Sequence, residues 1–104
     1  MDEAGMIVAS LVLRDPCSLK SRMAFRWAAY RAAERLGWVD RLRFRVSRWD
    51  AYSPDCEAEF DRLRTIGVLD YTPSQGQDYT LTAAGMRFLV TLKMPHALLE
   101  GALA

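Results

Sequence analysis

Residues 53–85 read SPDCEAEFDRLRTIGVLDYTPSQGQDYTLTAAG, and the order of signals along them decides the fold. Ser53-Pro54 starts a helix: a hydroxyl satisfies the free backbone N–H groups, and the N–H that proline lacks is not needed at the first helical position. Asp55 and Glu57 put negative charge where the helix dipole favours it. Cys56, Phe60 and Leu63 recur at i, i+4 and i+7 with Ile66 beyond, so one side is apolar, and Gly67 ends the helix. Residues 68–72 have strand composition, 73–76 (PSQG) form a turn cluster and 78–81 a second strand, which together make a hairpin. Thr82 caps a closing helix over 83–93, which Pro95 breaks.

Working outward from this stretch, residues 4–13 form a short helix with Ile7, Val8, Leu11 and Val12 on its apolar stripe, ended by Asp15-Pro16. Ser18 or Ser21 caps a long central helix that runs to about Leu36, with Gly37 as the left-handed residue after it. At about 100° per residue, Met23, Trp27 and Tyr30 fall on one side of it and Phe25, Ala32 and Leu36 roughly opposite, so both sides are expected to be covered. From 41 to 49 the period changes: Leu42, Phe44 and Val46 alternate with Arg41, Arg43 and Arg45, the pattern of a half-buried strand with one cationic face. The tail 96–104 carries Leu98, Leu99 and Leu103 and is expected to pack on this domain or on a second copy. The whole predicts one domain over 1–104, α+β and mostly helical. It has the element order of a winged helix-turn-helix with a two- or three-stranded antiparallel wing sheet, in which the helix before the hairpin can enter a major groove.

Composition limits what such a domain can do. The chain has 104 residues, 51% of them hydrophobic, and 14 Lys plus Arg against 13 Asp plus Glu. A net charge of +1 excludes a uniformly basic nucleic-acid binder. The total conceals a polarised molecule: residues 1–13 carry −2, residues 14–48 carry +7 and residues 49–104 carry −4. A local cationic cluster can still attract phosphates, because screening confines each charge to about 8–10 Å. The acidic start of the chain and the lack of a long apolar run point to a cytoplasmic protein with no membrane partner.

Neither catalysis nor a bound cofactor or metal is expected. His96 is the one histidine, no nucleophile has a base within the same motif, and Cys17 and Cys56 are too far apart in sequence for a ligand pair. The two cysteines read as unpaired structural thiols. Trp27, Tyr30, Trp38 and Trp49 read as core aromatics rather than a ligand pocket. For DNA, Arg43, Arg45 and Arg48 are the candidate phosphate contacts, Arg62 and Arg64 the candidate groove contacts, and Gln75 and Gln77 the donors on the wing. Against this, the helix that would read DNA also carries Asp55, Glu57, Glu59 and Asp61. The opposing expectation is that those carboxylates form a solvated face and the arginines pair with them within the domain or across a dimer.

Residues 43–88 also resemble a known family. Phe44, Trp49, Tyr52-Ser53-Pro54-Asp55, Leu63, Ile66-Gly67-Val68-Leu69, Tyr79-Thr80-Leu81-Thr82, Gly85 and Phe88 look like the small YwgA-like proteins of bacteria and archaea and the SocA-like (Panacea-type) antitoxin domains. Asp50-Ala51 stands where that pattern has Gly-Pro. The resemblance implies a winged-helix-like domain with a role in regulation or toxin–antitoxin biology. Two functions follow as expectations: a transcriptional regulator that binds duplex DNA as a homodimer through its first and last helices, or an antitoxin-like module that binds a protein and no nucleic acid.

Overall fold

Among residues 2–74, 76–94 and 96–103, which the computed structural model describes, five α-helices and two antiparallel two-stranded sheets follow one another. The order is α1 (Glu3–Arg14), a 3-10 turn (Pro16–Leu19), α2 (Arg22–Leu36), β1 (Arg45–Val46), β2 (Ala51–Tyr52) and α3 (Pro54–Thr65). Then come β3 (Leu69–Ser74), β4 (Gln77–Leu81), α4 (Ala83–Val90) and α5 (His96–Leu103). The fold is α+β and mostly helical. Its radius of gyration, 12.7 Å, is close to the value of about 13 Å for a compact chain of this length.

The local signals place the helices well. Ser21 caps α2 by accepting from Ala24 N–H, and Gly37 follows it at φ 73°. Ser53 caps α3 by accepting from Cys56 N–H, and Thr82 caps α4 by accepting from Gly85 N–H. α1 lies at the centre: Ala4, Gly5 and every residue from Ile7 to Val12 are buried, and it packs on α2, α3, α4 and α5. Phe25 of α2 and Phe60 of α3 meet beneath it with ring centroids 4.6 Å apart, and Tyr79 of β4 closes on Phe60 at 5.0 Å. The apolar tail is helical and packs on α2 and α1, with Ala102 buried; Arg35 caps its end by donating to the Ala102 carbonyl at 2.7 Å. The side chains of His96, Leu98 and Leu99 lie outside the described residues.

Three expectations are corrected. The strand over 41–49 shrinks to two residues, because Trp38, Val39 and Asp40 carbonyls accept the N–H groups of Leu42, Phe44 and Arg43 and hold 38–44 as a turn. Arg43 sits at φ 55°, so Arg43 and Arg45 do not share a strand face. β1 pairs only with β2, in the register Arg45↔Tyr52 and Val46↔Ala51, and the longer hairpin β3–β4 stays two-stranded. The second side of α2 is only partly covered: Trp27 and Tyr30 are half-buried, Tyr30 leans on Phe44, and Met23 is exposed. Most of α1 is buried within its own domain, with Met6 and Leu13 half-buried and Arg14 exposed.

Both cysteines are free thiols, Cys17 exposed and Cys56 buried, and burial pushes the Cys56 thiol up to about 11 from an ordinary 9.0. One thiol per native chain is therefore expected to react with a disulfide reagent, and both after denaturation. A thiol with a raised native pKa favours folding below its unfolded pKa and loses that contribution as pH climbs through the native value. Stability is expected to fall by up to about 2–3 kcal/mol between pH 9.0 and about 11. Denaturant titrations of wild type against Cys56→Ala check this, since the variant lacks that part of the alkaline loss.

Candidate functional site

The polar face of α3 is the surface expected to enter a groove through Arg62 and Arg64, and its carboxylates are already engaged. Cys56, Phe60 and Leu63 turn inward, so the other side chains of the helix project toward α2, the 38–44 turn, the β3–β4 hairpin or solvent. Arg22 reaches from α2 to donate to Glu57 at 2.7 Å and Asp61 at 2.9 Å, its guanidinium 4.1 Å from the centre of the Phe60 ring. Burial works against the Arg22 charge, but the bonds to Asp61 and Glu57 outweigh it and raise the pKa. Arg26 donates to the other oxygen of Glu57 and lies 3.4 Å from Asp50. The Glu57 side chain is only 12% exposed, so it is part of the packing rather than of a solvated face.

Each DNA-contact residue from the sequence can now be placed. Arg43 forms a two-pronged pair with Asp55, at 2.7 and 3.1 Å. That bond holds the Asp55 carboxyl below its ordinary value, so the pair is intact above the usual carboxylate range and is lost as pH falls below it. Arg62 donates to Glu59 at 3.1 Å on the same helix. Arg64 lies over the rings of Tyr79 and Tyr71, at 5.6 and 5.9 Å. Gln77 turns its amide back onto the Tyr79 carbonyl, at 2.8 Å. Gln75 lies outside the described residues. Of the candidate arginines, Arg45, Arg48 and Arg64 are exposed and make no ion pair among the described residues.

A shallow groove of about 430 Å³ runs between α3 and β3, lined by Asp61, Arg64, Thr65, Leu69, Asp70 and Tyr71. Two carboxylates against one guanidinium make it a poor seat for a phosphate. Apolar surface is more plentiful: Ile66, Met86, Phe88 and Val90 are exposed on and beside α4.

The sequence reading missed two features. It did not assign Arg22 and Arg26 to the carboxylates of α3, and it counted Trp49 with the core, whereas Trp49 is 76% exposed. The placement of Trp49 between Arg48 and Asp50, two residues after Ser47, is the signal for a polar turn rather than a core strand. Among the described residues no group of three His, Cys, Asp or Glu side chains is arranged to hold a metal, and no helix is long and apolar enough to cross a membrane. Comparison with protein-family models, curated proteins and solved structures gives no match to this chain.

Proposed function

We propose that the chain is a winged-helix-like protein-interaction module that does not read DNA. The winged-helix description rests on α3, the helix directly before the β3–β4 hairpin, packed across α1. One observation carries the functional reading: apart from Arg64, which lies over tyrosine rings, the guanidinium groups around α3 are committed to its own carboxylates, through Arg22 and Arg26 on Glu57, Arg43 on Asp55 and Arg62 on Glu59. Bringing DNA to this face would exchange those pairs for phosphate contacts and leave Asp55, Glu57 and Asp61 unneutralised beside a polyanion. Exposed pairs such as Arg62–Glu59 are weak, at about 0–1 kcal/mol, but the half-buried Glu57 cluster has no such freedom. The resemblance to SocA-like antitoxin domains agrees with this reading.

Fluorescence anisotropy with a labelled generic duplex at about 50 mM and about 200 mM salt tests it. The expected result is no saturable binding at micromolar protein at either salt. Salt-dependent binding that Arg62→Ala plus Arg64→Ala abolishes overturns it in favour of a DNA regulator. Purification from the native cells is expected to yield a stoichiometric protein partner that survives nuclease treatment.

A further inference from the structure

We infer that the β1–β2 hairpin is the surface that takes the partner, and that what it takes is an acidic segment of another protein carrying an apolar anchor. This rests on the protein-interaction reading and gives it a site. Ser47 builds the tip. Its hydroxyl accepts from the N–H groups of Trp49 and Asp50 at 3.2 and 3.1 Å, and its own N–H donates to the Asp50 carbonyl at 2.8 Å. A side-chain hydroxyl that closes the turn holds the tip in one shape before any partner arrives.

The turn presents Trp49, which is more exposed than any other large apolar side chain among the described residues, with the Arg48 guanidinium 5.9 Å from its ring. Arg45 stands opposite Tyr52 in the ladder, and both are exposed. Tryptophan, tyrosine and arginine are the side chains that most often carry binding energy at protein interfaces. The one carboxylate of the loop, Asp50, is drawn toward Arg26 at the base of the hairpin. The hairpin is therefore left with two cations that make no ion pair, Arg48 at the tip beside the Trp49 indole and Arg45 at the far end of the ladder.

Charge complementarity selects the occupant. An acidic segment supplies carboxylates for Arg45 and Arg48, and an apolar side chain in it covers Trp49. A second copy of this chain has little to give, because its contiguous carboxylates, Asp55 to Asp61, are held by its own arginines. Duplex DNA finds only two free cations here, which by counterion release leaves a contact of slope about −2 in log salt.

The test is a random 12-residue peptide library selected on the full chain, with the enriched peptides labelled and measured by anisotropy against three proteins. These are wild type, Trp49→Ala, and Arg45→Glu with Arg48→Glu. The expected peptides place Asp and Glu around an aliphatic or aromatic residue, and each variant is expected to bind them at least about tenfold more weakly with an unchanged melting temperature. Neutral or basic consensus peptides, or binding within about twofold on Trp49→Ala, overturn the hairpin assignment and leave the protein-interaction reading standing. Binding of a labelled duplex that the Arg45 and Arg48 reversals abolish overturns both.

Discussion

Phe60→Ala is expected to destabilise the chain by about 3–5 kcal/mol, read as a large drop in the urea midpoint with loss of near-ultraviolet dichroism. Phe60 is 0% exposed and joins the layers of the fold: Phe25 from α2 at 4.6 Å, Tyr79 from β4 at 5.0 Å, and the Arg22 guanidinium above its face at 4.1 Å. Alanine there leaves a cavity between three elements and removes two ring pairs, each of which contributes about 0.5–1.5 kcal/mol beyond its buried area. It also strips the apolar support from under the Arg22–Glu57 pair. Domains of this size are stable by about 5–15 kcal/mol in total, so the variant is expected to sit near its unfolding threshold. Phe60→Leu keeps most of the volume and is expected to lose less than half as much. A loss below about 1 kcal/mol for alanine, the mean effect of an arbitrary point mutation, contradicts the central place given to this ring.

Gly85→Ala is the second large effect, and it arises by overpacking rather than by a void. A Cβ at Gly85 would stand 2.5 Å from the Val68 carbonyl oxygen and 2.8 Å from the Val68 Cα, which is backbone that cannot swing aside. The approach is fixed by Thr82, whose N–H donates to that carbonyl at 3.0 Å and whose hydroxyl donates to Gly67 O at 2.8 Å while accepting from Gly85 N–H at 2.9 Å. Adding a methyl must lift α4 off Val68 and break this clamp. The expected loss is about 1–3 kcal/mol or more, or roughly 4–8 °C of melting temperature per kcal/mol in a domain of about 100 residues. Because alanine favours helix over glycine by about 1 kcal/mol, a neutral or stabilised Gly85→Ala variant shows that the close approach is absent. Calorimetry decides between the two.

The parts of this fold that were legible are those with local causes. Ser53-Pro54, Gly37, Gly67 and Thr82 act within four residues of themselves, and each starts or ends its element where the sequence places it. The 41–49 segment misled because alternation predicts a strand only when the backbone N–H groups are free for a ladder. Here they are taken by the Trp38–Asp40 carbonyls, while Ser53, eleven residues on, captures the Leu42 carbonyl at 2.6 Å. The acidity of α3 was plain, but the neutralisation of Glu57 and Asp61 depends on pairs 31–39 residues apart, which no local pattern specifies. The same holds for Trp49. Its exposure follows from the Ser47 turn and from Arg26 holding Asp50 at the base, and only the first of these is written in neighbouring residues.

The Arg22, Arg26 and Arg43 pairs also dictate a schedule. Synthesis delivers the chain from its N-terminus at about 5–20 residues per second, so the +7 block of residues 14–48 emerges before any of Asp50, Asp55, Glu57 and Asp61. During that interval the nascent segment is a bare polycation beside ribosomal RNA, and α2 has nothing to lay its arginines against. The helix that neutralises it arrives later and brings Phe60 with it, so the partners for charge cancellation and for ring stacking are delivered together. The partners of Arg22 on α3 are available only once α3 is released, and a chain halted before Asp50 would be left as a cationic segment rather than a half-built domain.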